Sequence, residues 1–307
     1  PFFVFLHVFD PHSPFAPRPP YDSLWADPAK RADFEKDLDR VKEFIETDFL
    51  RGQGMPSREE LLEAGVDPDQ FIGQYHDWYD GSIRGMDAEI GRLLEGLQNF
   101  GLADDTLVAF IGDHGEELLE HGQTWHGHTL YGELVNVPLL LWWPGGVPGG
   151  RTVDETVRSI DLMPTLLALS GLSAPDEIQG QSLLPLMNDP AGGADLAQEW
   201  IVRPAVSERD LGEGRSVSLI SEGWKLVQNF DLPDEDHPEF ELFDHREDPL
   251  NLVNVADAHP DIVERLTKEI DRWQRQSETA QLLSDEDLSS GLSADELKRL
   301  RGLGYVR

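Results

Sequence analysis

The chain has 307 residues, of which 39% are hydrophobic and 27% charged. That is the composition of one large folded domain, or one and a half, with enough apolar surface for a core. Lys and Arg number 25 against 59 Asp and Glu, a net charge of −34. Such a surface repels nucleic acid and anionic membranes, which argues against a nucleic-acid partner. No apolar run approaches the ~20 residues of a bilayer span. With no cysteine, the chain holds no disulfide, thiolate metal site or cysteine nucleophile.

The chain opens on Pro1 and runs straight into an apolar stretch with no signal-peptide pattern. A fragment or a processed product is expected from this, and the compartment is left open. Residues 2–9 are almost wholly apolar and are expected to form a strand buried on both faces. The prolines of Asp10-Pro11-His12-Ser13-Pro14 make the next segment an extended loop. A helix is expected over 27–50, from Phe34, Leu38, Val41, Ile45 and Phe49, stopped by Gly52 and Gly54. Ser57-x-x-Glu60 is a capping box that opens a short helix.

The longest helical pattern covers 69–100, with a stripe from Phe71, Tyr75 and Trp78 to Leu97 and Phe100. Gly81 and Gly85 either kink it or admit a close neighbour, and Gly101 caps it. Residues 106–111 and 138–143 read as short strands. Asp161 is expected to N-cap a helix that ends at Gly171. This order implies an α/β core, residues 1–200, with a largely parallel sheet. Short strands at 205–208, 217–221, 224–230 and 240–243, then a helix over 261–277, predict a small antiparallel α+β subdomain over 201–280. Gly223 marks a tight hairpin. Residues 281–307 read as a polar tail with a short helix at 294–300.

Histidine is unevenly placed. His114, His121, His126 and His128 fall within fifteen residues, and His7 and His12 belong to the first apolar segment. Ligands of open α/β sheets bind outside the carboxyl ends of the strands. His12 and Asp113-His114 both follow strands, so they are expected to share one crevice. Asp113 and His114 side by side suit a divalent metal. Alternatively, Asp113 caps a helical turn over 116–120 and His114 is a surface residue. Gly112 and Gly115 allow the backbone close to a ligand. His126 and His128 can bind an anion, donate a proton or ligate metal, or they belong to a histidine-rich surface turn. His12, between prolines, is either a preorganised acid or anion contact, or a turn histidine. His121 is expected to stabilise its loop, and His7 to be a core histidine. His76, His237, His245 and His259 read as structural or solvated. The acidic run Asp234-Glu235-Asp236 reads as a solvated loop.

Several segments together resemble the sulfatase branch of the alkaline-phosphatase superfamily. They are Phe2 to His7 leading into Asp10-Pro11-His12-Ser13-Pro14-Phe15, then GSIRGMDAEIGRLL from Gly81, and Gly112-Asp113-His114-Gly115-Glu116-Glu117. HGHTLYGELVNVPLLLWWPG from His126, SIDLMPTLLALSG from Ser159 and ELFDHREDPLNLVNVA from Glu241 follow in the family's order. The resemblance implies a hydrolase of sulfuric esters that uses a divalent metal, Ca²⁺ first, acting on a sulfated small molecule or carbohydrate. Asp113 and His114 align with metal ligands. His12 aligns with a histidine that contacts the sulfate or assists the leaving group. His128, and less closely His126, falls where many members place a lysine against the sulfate.

The family's aspartate pair and its C/S-x-P-S-R element, the source of the formylglycine nucleophile, have no counterpart here. Gly54-Met55-Pro56-Ser57-Arg58 mimics only the tail of that element, and Gly54 has no side chain to convert. The expectation is therefore the C-terminal portion of a sulfatase, inactive alone, whose parent is often exported to the periplasm or medium. A phosphodiesterase, phosphonate hydrolase or phosphotransferase using Mn²⁺ or Zn²⁺ is the alternative on the same fold. A non-catalytic relic is the other.

Overall fold

A computed structural model describes residues 1–13, 15–42, 56–176, 178–187, 200–210, 214–230 and 237–279. Residues 43–50 of the helix expected over 27–50, Gly52, Gly54, Met55, the acidic run 234–236 and the tail 281–307 lie outside the described residues. The chain divides into two units, Pro1–Ala258 and His259–Arg307. Within the second, an amphipathic helix over Pro260–Thr279 has Leu266 and Ile270 fully buried.

The first unit begins with helices. α1 spans Arg31–Lys42 after a one-turn 3-10 helix, Pro28–Lys30, which the Asp27 side chain caps through Ala29 N. α2, Arg58–Glu63, has both bonds of the expected capping box: Glu60 N donates to Ser57 Oγ and Ser57 N to the Glu60 carboxylate. α3 runs unbroken over Pro68–Asn99, with Asp67 as N-cap and Gly101 at φ +68° beyond its end. Its two glycines admit a neighbour. A Cβ at Gly81 would lie 2.6 Å from the Tyr21 carbonyl, and one at Gly85 would press on the Tyr21 ring. Only the N-terminal part of the predicted stripe is buried, at Phe71, Tyr75 and Trp78, whereas Leu93 and Phe100 are exposed.

Those three residues join Phe15, Phe34, Val41 and Leu61 in the main core. Phe34 stacks on Phe71 at 4.6 Å and meets Trp78 edge-on at 4.8 Å. Burying a side chain of this size contributes about 1.5–3 kcal/mol. Leu118, Leu119 and Trp125 belong to the same core. They come from a small ribbon, β2 (Glu117–Leu118) paired antiparallel with β3 (Thr124–Trp125). The ribbon is thus anchored to the helices by its apolar side chains.

The α/β order of elements is as expected, but the parallel pairing is not. β1 (Val108–Ile111) pairs antiparallel with β4 (Leu139–Trp142), with α4 (Gly132–Val135) just before β4. Every ladder among the described residues is antiparallel. Residues 2–9 form no strand and are exposed, Phe3 to 85%. A parallel neighbour requires two strands joined by a crossover, and among the described residues this segment meets no ladder partner. His7 is accordingly exposed and not a core histidine. Residues 116–120 are not a helical turn either, because Glu117 and Leu118 pair with Trp125 and Thr124.

α5 (Leu162–Leu169) follows Asp161 and stops before Gly171 at φ +72°. Asp161 does not cap it by side chain; its buried carboxylate accepts from Arg158 and from Gln181 N instead. After α6 (Leu184–Met187) comes a four-stranded meander: β5 (Ala205–Asp210), β6 (Arg215–Ser221), β7 (Trp224–Phe230) and β8 (Phe240–Asp244). Glu222 and Gly223, at φ 52° and 86°, make the two-residue turn between β6 and β7, where mirror-image turns match strand twist.

Candidate active site

β1 delivers the first site residues. After Ile111, Gly112 N donates to the Pro138 carbonyl and Gly115 N to the Leu134 carbonyl, which pins the intervening Asp113-His114. A Cβ at Gly115 would sit 1.8 Å from the Glu133 carbonyl oxygen, so only glycine allows this approach. The close neighbour is the chain's own backbone. Asp113 Oδ1 accepts from His114 N at 3.0 Å. His114 Nδ1 lies 2.8 Å from the Gly115 carbonyl, so Nδ1 carries the hydrogen and Nε2 presents its lone pair. That lone pair is 3.9 Å from Asp113 Oδ2. Two ligand atoms this far apart fit one divalent ion, and a ring hydrogen held by a carbonyl is the usual arrangement of a ligating histidine. The pair could offer such an ion one hard oxygen and one imidazole nitrogen.

His12 reaches the same place from the other end of the sequence. Its Nδ1 is 2.7 Å from the Ser13 carbonyl. Its ring is 5.3 Å from that of His126 and meets Trp125 edge-on at 5.4 Å. His126 in turn lies 4.1 Å from His114 and stacks on Trp125 at 4.4 Å. His12 and His114, expected to lie together, are thus linked through His126, whose ring is 5.3 Å from the one and 4.1 Å from the other. Trp125 holds φ +86°, a left-handed conformation that costs a bulky residue about 1–3 kcal/mol. Its burial in the main core holds it there, and the backbone leaves it directly into His126.

His128 meets none of these three rings among the described residues. It meets Glu117: Nε2 is 2.8 Å from Oε2. Similarly, His126 Nδ1 is 3.1 Å from Glu116 Oε1. Both glutamates are buried, Glu117 completely. In the sequence these two acids stand out only as part of a family motif or of a helical turn over 116–120. The adjacency of Glu116-Glu117 and the spacing to His126 and His128, ten and eleven residues, is the signal that a short ribbon would pair them.

His121 stabilises its loop, as expected, through a network that sequence reasoning missed. Its Nδ1 is 2.8 Å from Glu133 Oε1 and its Nε2 2.9 Å from the Asn251 carbonyl. Burial pulls this imidazole down. The bonds to Glu133 and Asn251, with the charges of Glu133 and Glu117, outweigh it and hold His121 above the ordinary histidine value. Tyr131 stacks on the ring at 3.9 Å and donates to Glu241 Oε1 at 2.8 Å. Lys225, fully buried in β7, donates to Asn251 Oδ1 at 2.7 Å. Burial pushes Lys225 down to about 7 against the charges of Glu133 and Glu241. Glu117, His121 and Glu133 bring ligand atoms within 4.8 Å of one another, close enough for a metal ion. However, Glu117 already accepts from three N–H groups, and both His121 nitrogens are bonded. Lys225 supplies positive charge beside them. Most of this group's polar atoms are thus committed within the protein, although Glu133 Oε2 is buried without a hydrogen-bond partner among the described residues.

No helix among the described residues is long and apolar enough to cross a membrane.

Two family models match the chain: the sulfatase family over residues 1–172, and the N-sulphoglucosamine sulphohydrolase C-terminal family over residues 120–276. The chain is 29% identical to an endo-4-O-sulfatase of Bacteroides thetaiotaomicron over 93% of its own length and 54% of that protein. It is 30% identical to arylsulfatase K of Xenopus laevis over 66% of its length and 37% of that protein. The chain thus spans about half the length, or less, of these curated relatives. Among solved structures, BT4656 in complex with its substrate D-glucosamine-2-N,6-O-disulfate superposes with a TM-score of 0.62 at 21% identity, covering 88% of this chain and 64% of that one. The phosphonate monoester hydrolase SpPMH of Silicibacter pomeroyi gives 0.62 at 25% identity, covering 87% of this chain and 54% of that one. Asp113-His114 and the clustered histidines lie inside the first matched region, and the four-stranded sheet inside the second. The α/β chain belongs to the sulfatase family.

Proposed function

We propose that this chain forms the metal-proximal half of the active site of an enzyme that hydrolyses sulfate esters of carbohydrates. The observation that carries this reading is that His126 lies beside both His12 and His114, the latter next to Asp113, although these residues are distant in sequence within a sulfatase-family segment. Asp113 and the His114 Nε2 are the ligands of a divalent cation, for which we favour Ca²⁺. Bound there, that ion would supply Lewis-acid polarisation of the sulfate oxygens. His12 and His126 line the approach with Nε2 outward; each donates to an anionic oxygen when it carries a second proton, and His12 serves the leaving oxygen. His128 contacts the sulfate from the adjoining loop. The chain has no cysteine. We assign the formylglycine nucleophile to sequence outside these 307 residues, and on this reading the chain alone does not turn over substrate.

The disulfated glucosamine bound by BT4656 supports sulfated amino sugars as the substrate class. The phosphonate monoester hydrolase neighbour keeps phosphoryl chemistry, with Mn²⁺ or Zn²⁺, as the second reading. The chain's ten histidines allow a direct test with ¹⁵N-histidine labelling. Added to the chain already saturated with Ca²⁺, glucosamine 6-sulfate is expected to shift His12, His114 and His126, and unsulfated glucosamine is not. Equal response to both sugars would overturn the reading. A response to phenylphosphonate with Mn²⁺ but not to the sulfated sugar would move it to phosphoryl chemistry.

A further inference from the structure

We propose that Glu117 is a positioning residue that fixes His128 as its Nε2–H tautomer, leaving Nδ1 as the ring atom that meets the substrate. The role assigned to His128 rests on the sulfate-ester reading, but the tautomer does not. Glu117 sits in β2 with a side chain that is 0% exposed. Its Oε1 accepts from His121 N at 3.0 Å and from Gln123 N at 2.8 Å, which commits that oxygen twice over. Its Oε2 is 2.8 Å from His128 Nε2. A carboxylate only accepts, so the shared hydrogen lies on Nε2. The His128 side chain is a quarter exposed, and its Nδ1 makes no hydrogen bond among the described residues. The unprotonated nitrogen of the neutral ring is therefore the accessible one.

The neighbouring pair is wired in the opposite sense. Glu116 meets His126 at Nδ1, so His126 presents Nε2. Two consecutive acids of one ribbon thus set two histidines, two residues apart, with opposite nitrogens outward. A histidine oriented by a buried acid behind it is the logic of a catalytic triad. Neutral His128 offers a base at Nδ1. It donates from Nδ1 to an anionic oxygen only when it carries a second proton, with Glu117 as the counter-charge behind it.

Glu117→Gln is a near-isosteric switch for this arrangement. The amide oxygen of the substituted side chain keeps the two backbone N–H donors, so its NH₂ group falls opposite His128 Nε2. Nε2 must then accept, and the hydrogen moves to Nδ1. Long-range ¹H–¹⁵N spectra of the ¹⁵N-histidine-labelled chain, at a pH where the ring is neutral, read the tautomer directly. Nε2–H is expected in the unmodified chain and in Glu117→Asp, and Nδ1–H in Glu117→Gln. An Nδ1–H signal for His128 in the unmodified chain overturns the proposal whether or not any variant folds. An unchanged tautomer in a folded Glu117→Gln overturns it as well. A purely structural role for Glu117 would alter stability without exchanging the two nitrogens. The spectra need no substrate. Failure of glucosamine 6-sulfate to shift the other histidines would therefore count against the sulfatase reading, not against this tautomer.

Discussion

Lys225 offers a test of the buried network by pH. Its ammonium is 0% exposed in β7 and its folded value is pushed down to about 7, whereas an unfolded chain gives lysine about 10.4. Between those two values the unfolded chain binds the extra proton and the folded chain does not. Stability therefore rises with pH across that window, at up to about 1.4 kcal/mol per unit. Below the folded value the full penalty, on the order of 5 kcal/mol, is present.

Lys225→Met keeps the length of the side chain and removes the titration. From pH 6 to pH 9, the unmodified chain is expected to gain roughly 2–3 kcal/mol relative to the variant. The Asn251 bond lost at 2.7 Å offsets both pH values alike and drops out of that difference. Urea unfolding at several pH values, followed by tryptophan fluorescence, measures the gap. Stability curves that stay parallel within about 0.5 kcal/mol from pH 6 to 9 would refute the claim that desolvation outweighs Glu133 and Glu241 at this lysine.

His121 should behave with the opposite sign. Its folded value is raised, so its contribution is full below the unfolded value of about 6.5 and is lost as pH rises through the folded one. His121→Gln is expected to cost about 2–3 kcal/mol at pH 6 and progressively less in alkaline solution, as read by the same urea series. Gly115→Ala would force the Glu133 carbonyl away from the site loop. A loss of more than about 2 kcal/mol is expected in urea unfolding, and a neutral result would show that the loop has room the structure denies it.

Local structure was legible where a single segment decides it. Ser57 and Glu60 cap α2 as their spacing says, and Gly223 turns the hairpin between β6 and β7. The antiparallel meander could also be read, whereas His12 lies near His126, and through it His114, without the preceding strand expected to place it there. What escaped depends on partners far along the chain. Residues 2–9 carry the composition of a central strand, but composition does not supply a ladder. Asp161 looks like a helix cap, yet Arg158 and Gln181 take its oxygens. Lys225 looks like an ordinary exposed lysine in a strand. Its burial follows from Asn251, Glu133 and Glu241, which lie 26, 92 and 16 residues away by sequence number. The ribbon pairing of Glu117 with His128 required knowing that residues 117–118 are a strand and not a helical turn.

The exposed run from Phe2 to Phe9 also bears on how solutions of this chain will behave. Seven large apolar side chains in eight positions present unpaired backbone and a greasy surface together, the combination from which intermolecular sheets grow. Opposing it is a net charge of −34, which keeps copies apart. That repulsion reaches about 10 Å at 0.1 M salt and only about 3 Å at 1 M. Light scattering should therefore find dispersed chains in dilute buffer and growing assemblies as salt is added. An acidic surface of this kind would ordinarily favour brine, but here the sticky segment makes concentrated salt the precipitant.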